Sequence, residues 1–308
     1  MDTAGPKLTD IKPLLCGYIR EAGYMLDPSV IPDEEAVHDI RVLLKKSRAS
    51  LKLLEIITGT EVFEREYGYL REAGRIMSSW RETSVLRKLL KELKKDHPFV
   101  FAKLTANEKI SSLLKRPDTM TSPDEGMKKD IEEIKSLLHK SEYRMRFIVM
   151  NTDDQNILLK SLAGTWELAS SAYLKARIYP KETNIHELRK KTKDLLFQLF
   201  FFRPLNPGPV KSLEKKLEAL GQFLGKYNDL AVLMATLGYK YRPSVSPGPM
   251  DELALIIRTG QDRYLKKIWP LAGRLFGPGK MMEGITGPGT DPDKPAPAFP
   301  PWGKRERG

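Results

Sequence analysis

The sequence is poor in cysteine and in long apolar runs. Cys16 is its one cysteine, which excludes an intramolecular disulfide framework and a cysteine-rich zinc site. No stretch approaches the roughly 20 apolar residues that a transmembrane helix needs. The opening segment MDTAGPKLTD lacks the basic region and apolar core of a secretory signal. We therefore expect a soluble, cytoplasmic protein without a membrane partner.

Negative charge is also in deficit. Among the 308 residues, 52 Lys and Arg face 40 Asp and Glu, which gives a formal net charge of +12 and a pI near 9.5. Such a balance favours anionic partners, such as nucleic acid, an acidic membrane surface or a polyphosphorylated molecule.

Alternating β-branched stretches of the kind that form strands are hard to find. Apolar residues recur instead at helical spacing, and Gly- and Pro-rich segments separate the periodic stretches, so the sequence predicts an all-α fold. The Pro- and Gly-rich residues 277–308 cannot bury a core and are predicted to form a disordered tail. The predicted helices are 8–25, 34–57, 61–95, 98–116, 127–150, 153–179, 183–203, 210–237 and 250–276.

A line of basic residues follows one face of the helix predicted at 34–57. At 100° per residue its members fall within an arc of about 80°, although neighbouring like charges on a helix repel each other. Such a line needs good solvation or an anion lying along it. We call it the first basic stripe, and it consists of His38, Arg41, Lys45, Arg48 and Lys52.

The same pattern returns later in the chain. VHDIRVLLK, which begins at Val37, is matched by IHELRKKTK, which begins at Ile185, at a separation of 148 residues. YLREAGRIMSSWRETSVL (69–86) is matched by KLEALGQFLGKYNDLAVL (216–233) at 147 residues. Two blocks in the same order at almost the same offset indicate an internal repeat. The repeat predicts a first half over 7–150 and a second half over 151–276.

The repeat also predicts the core. Each half carries an apolar stripe at heptad spacing, and each basic stripe is displaced from it by about 100°. Cations at the shoulder of a buried seam suit the wall of a groove between helices. The two apolar stripes are Val37, Ile40, Leu44, Ser47, Leu51 and Leu54, and Ile185, Leu188, Thr192, Leu195, Leu199 and Phe202.

These repeated blocks resemble the CHAD family, the histidine-containing α-helical domain, over roughly residues 7–276. The resemblance implies one domain made of two four-helix bundles related by a pseudo-twofold axis. It also implies a basic channel between the bundles that binds inorganic polyphosphate, with polyphosphate granules as a further partner. No cofactor and no metal is implied.

The resemblance assigns polyphosphate contacts to both stripes. The second copy departs from the first, since Leu196 stands where the first copy has Arg48, and residues 227–229 read YND where the family often has an Arg–Asp pair. Lys190 and Lys191 are expected to compensate in part for the missing cation. The predicted contacts are His38, Arg41, Lys45, Arg48, Lys52, His186, Arg189, Lys190 and Lys193.

Three alternatives accompany this interpretation. His38-Asp39 is similar to the pair of metal-dependent HD phosphohydrolases, but those enzymes need more His and Asp ligands than a chain with four histidines offers. Nucleic acid obeys the same phosphate physics, but the stripes contain no aromatic residue on which bases stack. A purely structural scaffold is the third. We expect a binding module and not an enzyme, with nucleic acid the less favoured partner.

Overall fold

The computed structural model describes residues 8–115, 125–149, 155–239 and 248–277. These residues form eleven α-helices and no β-strand, which confirms the predicted all-α class. The helices are α1 (Leu8–Tyr24), α2 (Glu34–Thr58), α3 (Thr60–Ile76), α4 (Ser78–Asp96), α5 (Pro98–Lys103), α6 (Glu108–Lys115), α7 (Glu125–Phe147), α8 (Gln155–Ile178), α9 (Glu182–Leu199), α10 (Pro207–Leu237) and α11 (Pro249–Phe276).

Eight of the eleven described helices contact each other in two cyclic sets, and their division into two four-helix bundles stays a prediction. In the first set α1 contacts α2, α2 contacts α3, α3 contacts α7, and α7 returns to α1. In the second set α8, α9, α10 and α11 contact each other in the same cyclic manner. Helix α2 joins the sets by packing against α8 and α9. The pseudo-twofold relation and the boundary at residue 150 stay predictions, since residues 150–154 lie outside the described chain.

Both predicted apolar stripes are buried, which confirms this part of the predicted core. Every member of either stripe is at most 5% exposed. The polar members Ser47 and Thr192 donate their hydroxyl hydrogens to the carbonyls of Leu43 and Leu188, one turn earlier. Their burial therefore leaves no hydroxyl donor unsatisfied.

Two predicted helices are each divided in the structure. The helix predicted at 61–95 is interrupted at Met77, where the Gly74 carbonyl accepts hydrogen bonds from the side chains of Ser78 and Arg41. The helix predicted at 98–116 is interrupted at 104–107, and the Asn107 side chain caps the amide of Ile110. Predicting one helix in each place was wrong, because the bonds that divide them come from side chains.

The helix ends of the second half differ slightly from the predictions. The helix predicted at 183–203 ends at Leu199 and continues as a 3-10 turn over Phe200–Phe202. The predicted tail, 277–308, lies outside the described residues except for Gly277.

A second apolar cluster connects the first half to the second. Leu86 and Leu90 of α4, Phe101 of α5 and Ile110 of α6 pack with residues from the end of α10 and the start of α11. Helices α4, α5 and α6 therefore extend the first half over one end of the second. No helix within the described segments is long and apolar enough to cross a membrane.

The start of α2 depends on Asp33, whose side chain accepts a hydrogen bond of 2.7 Å from the amide of Ala36. Replacing Asp33 with Ala removes this acceptor and should lower the free energy of unfolding by about 1 kcal/mol. Thermal unfolding measures this as a fall in Tm of about 2 °C. Asp33→Asn keeps an acceptor oxygen and should retain the wild-type Tm within 1 °C or so. Equal losses in the two variants would contradict a capping role.

Candidate anion-binding site

The first basic stripe lies along α2, which packs against α3. Arg41 is half-buried, and its Nη1 donates to the Gly74 carbonyl at 3.2 Å and to the Ser78 hydroxyl at 3.1 Å. Lys45 and Arg48, one and two turns further on, are also half-buried, whereas His38 is exposed at the start of the helix. The stripe therefore lies at the edge of the core, as its displacement from the apolar stripe predicts.

The second basic stripe consists of His186, Arg189 and Lys193. It lies along α9, which packs against α10. A Cβ placed on Gly221 would lie 3.0 Å from Lys193 Cε, and one placed on Gly225 would lie 3.8 Å from Arg189 Nε. The missing side chain at Gly221 therefore leaves room for Lys193, whereas Arg189 lies at ordinary van der Waals distance over Gly225. Next to them, His186 Nδ1 lies 2.7 Å from Asn228 Oδ1.

The two arginines occupy equivalent places in the repeat. Gly74 and Ser78, which contact Arg41, correspond to Gly221 and Gly225 at the offset of 147 residues. Arg189 lies over Gly225, the counterpart of Ser78. In each half an arginine therefore lies against small residues of the helices that follow it in the chain.

Lys193 carries its charge in an unfavourable place. It is half-buried, and burial lowers the pKa of its ammonium below 10.5. The positive charge of Arg189 lowers it further, while Glu218 acts in the opposite direction. Among the residues that the structure describes, no carboxylate lies within ion-pair distance of Lys193. An anion between Arg189 and Lys193 would relieve both the repulsion and the lost solvation.

Two of the predicted contacts already have acidic partners. Lys52 forms an ion pair with Asp194 of α9 and lies 5.3 Å from the ring centroid of Tyr67. Lys190 forms an ion pair with Glu187, which Lys191 also approaches at 3.8 Å. An anion that binds either lysine must compete with a carboxylate.

The two stripes do not lie side by side. Gln198 Nε2 donates to the Ala49 carbonyl at 3.1 Å, and Lys52 pairs with Asp194, so α2 and α9 run in opposite directions where they meet. His38 lies about 16 Å before this crossing along α2, and His186 lies about 18 Å before it along α9. The histidine-bearing turns therefore lie on opposite sides of the crossing. A shared groove has to run along both helices from end to end.

Several residues of the site were missed by the sequence predictions. They are the partners on the following helices, namely Gly74, Ser78, Gly221, Gly225 and Asn228. All five fall within the second repeated block, which matches GRIMSSW with GQFLGKY. The repeat itself was the available signal, since a glycine recurs at the same place in both copies.

Within the described segments, no three His, Cys, Asp or Glu side chains come together as a possible metal-binding group.

Comparison with known families decides what kind of domain this is. The sequence pattern of the CHAD domain matches residues 19–238. This chain belongs to the CHAD domain family. The crystal structure of the CHAD domain from the plant Ricinus communis is similar to it, with a TM-score of 0.58 and 15% sequence identity, over 89% of this chain and 94% of the plant chain.

At that identity the likeness to the plant protein concerns the fold alone. A comparison with curated proteins gives no match. Both basic stripes and the repeated glycine blocks of this CHAD domain lie inside the matched segment, residues 19–238.

Proposed function

We propose that this CHAD domain binds inorganic polyphosphate along the groove formed by α2 and α9 with α3 and α10. It does so as a non-catalytic binding module in the cytoplasm, where polyphosphate granules are a further partner. Family membership and the resemblance of the repeated histidine motifs support this proposal. The net charge of +12 supports an anionic ligand independently.

One observation carries the proposal. Arg189 and Lys193 lie together on the two glycines of α10, and burial and mutual repulsion lower the pKa of Lys193. Two cations held this close repel each other, and burial adds a desolvation cost at Lys193. A phosphate between them would neutralise the pair and accept hydrogen bonds from both side chains.

The residue types divide the work. The arginine fork presents parallel donors to phosphate oxygens, so Arg41 and Arg189 fix the position of one phosphate in each half. Lysine acts as a mobile point charge, so Lys45 and Lys193 follow the next phosphates along the chain. Arg48, which makes no hydrogen bond or ion pair within the described residues, extends the first stripe toward the crossing.

The salt dependence of binding tests this arrangement. If Lys45 neutralises a phosphate, Lys45→Ala should reduce the slope of log affinity against log salt concentration by about 0.7, the value for a flexible single-stranded polyanion. The affinity of medium-length polyphosphate, measured calorimetrically at several salt concentrations, gives this slope. Lys140, an exposed lysine of α7, is the matched control, and Lys140→Ala should keep the wild-type slope. An unchanged slope in Lys45→Ala removes Lys45 from the contacts.

Single-stranded DNA separates polyphosphate from the alternative polyanion. The described stripe residues include no Phe, Tyr or Trp for base stacking, so DNA offers the groove chiefly its phosphates, which are spaced more widely by sugars. We expect polyphosphate to displace an oligothymidine of equal charge at fixed salt. Displacement in the opposite direction would favour nucleic acid as the ligand.

A further inference from the structure

A cleft of about 590 Å³ opens beside the crossing of α2 and α9. Its walls come from α1, α2, the end of α9 and the start of α10, and its volume lies in the range of small-molecule sites. Aromatic and basic side chains line most of it, together with Leu196, Glu214 and Glu218. The lining residues on which the argument rests are Tyr18, Lys46, Phe197, Phe200, Lys211 and Lys215.

The cleft lies where the two copies of the repeat differ in sequence. On the first-half side of the crossing, Lys52 and Asp194 form an ion pair. At the offset of 148 residues, their counterparts are Phe200 and Lys46. A phenyl ring and an ammonium cannot form that pair, and both line the cleft.

Phe200 gives the cleft an aromatic surface. Its side chain is 40% exposed although its neighbours Phe201 and Phe202 are buried. Phe200 rests edge-on against Phe201, with ring centroids 5.5 Å apart, and the Arg203 guanidinium lies 5.0 Å from the Phe200 ring centroid. Because the guanidinium covers one face of the Phe200 ring, a flat ligand can stack on the opposite face of the ring or on the outer face of the guanidinium.

Three lysines give the cleft its positive charge. Lys46 lies 5.4 Å from the ring centroid of Tyr18, and Lys211 and Lys215 are exposed on the first turns of α10. Within the described residues these three ammonium groups form no ion pair. The buried carboxylate of Glu214 is held by Arg203, whose Nε lies 3.0 Å from both of its oxygens. Glu218 contributes one further negative charge at the rim, so cations remain in excess.

We propose that this cleft binds a phosphorylated aromatic compound of nucleotide size. The aromatic ring stacks on Phe200, and the phosphates are bound by Lys46, Lys211 and Lys215. This ligand differs from the inorganic chain that the basic stripes bind, because inorganic phosphate gains nothing from an exposed phenyl ring. At the equivalent positions of the repeat, the Lys52–Asp194 ion pair takes the place of Phe200 and Lys46.

Calorimetry with magnesium-free ATP and with tripolyphosphate tests the proposal on the full chain. The two ligands share a triphosphate, but only ATP carries an aromatic ring. We expect ATP to bind about tenfold more tightly than tripolyphosphate, because stacking of one base on an aromatic side chain typically increases affinity by about this factor. Phe200→Ala should remove this advantage and leave the affinity of tripolyphosphate unchanged. The control Phe99→Ala, which removes an aromatic ring that is 84% exposed on α5, should alter neither affinity.

A second variant closes the cleft without leaving a void. Lys46→Asp combined with Phe200→Lys places the residue types of the first-half ion pair at the equivalent positions. This double variant should lose ATP binding and keep the affinity for long polyphosphate, which depends on Arg41 and Arg189. Equal affinities of ATP and tripolyphosphate for the wild-type protein, or an ATP preference that survives in either variant, would overturn the proposal. If Arg41→Ala or Arg189→Ala loses polyphosphate binding and the wild-type preference for ATP remains, the result concerns the groove and supports a separate cleft.

Discussion

Replacing both Arg41 and Arg189 with alanine should lower the affinity for polyphosphate by at least 100-fold at physiological salt. A hydrogen bond to a charged group contributes about 1.5–3 kcal/mol, so two lost guanidinium–phosphate contacts amount to roughly 3–6 kcal/mol. Because the two arginines occupy equivalent positions in the repeat, Arg41→Ala and Arg189→Ala should each lower the affinity for polyphosphate by a similar factor. Isothermal titration with polyphosphate of medium length measures the effect.

The matched control keeps the charge and removes the fork. Arg41→Lys with Arg189→Lys should recover part of the affinity, because an ammonium supplies charge without bidentate geometry. Arg41 also bonds to Gly74 and Ser78 at the break between α3 and α4, so its removal affects the structure as well. Arg189→Ala leaves the break between α3 and α4 untouched and should keep the wild-type Tm within about 2 °C. An unaltered affinity in Arg189→Ala would exclude the arginine from the binding site.

Replacing Lys193 with methionine should raise the stability of the ligand-free protein and weaken binding. Methionine keeps much of the length and the apolar stem of lysine and removes an ammonium that is half-buried beside Arg189. We expect Tm at neutral pH to rise by about 2 °C, which corresponds to roughly 1 kcal/mol. Affinity for polyphosphate should fall about tenfold, since one charge-assisted contact is lost. A purely structural lysine would give a lower Tm and no change in affinity.

The pH dependence of stability gives a second test of Lys193. Because burial and Arg189 lower its pKa in the folded state, the folded protein binds fewer protons at this site than the unfolded protein between the lowered pKa and 10.5. The stability contribution of this group therefore increases as pH rises through that window. Lys193→Met should lack this increase when denaturant unfolding is followed against pH. A bound anion should restore the proton, so polyphosphate binding in alkaline buffer should be accompanied by proton uptake.

The sequence carried enough information to predict the fold and the position of the basic stripes. Helical spacing placed Ile185 and Leu188 in the core, and a rotation of about 100° placed His186 and Arg189 at its edge. Both depend only on the geometry of a single helix. The buried and the basic positions of a helix could therefore be predicted without knowing which helices pack against each other.

The rest of the site depends on contacts between distant parts of the chain. The pairing of Lys52 with Asp194 joins residues that are 142 positions apart, and no local pattern specifies it. The glycines under Arg189 and Lys193 were visible as a repeated Gly74 and Gly221, but only the packing of α9 on α10 shows what they make room for. The Gly74 carbonyl beside the break at Met77 likewise accepts a hydrogen bond from Arg41, a residue of another helix.

Because α2 and α9 run in opposite directions at their crossing, the proposed groove should select polyphosphate by chain length. Chains shorter than about 30 Å fit along one stripe only, whereas longer chains reach the histidine-bearing turns at both ends. Once one stripe is occupied, the second encounter is intramolecular and takes place at a high effective concentration. Length selection then needs no residue that recognises a chain end, because a chain that contacts both stripes binds with higher affinity than one that contacts a single stripe.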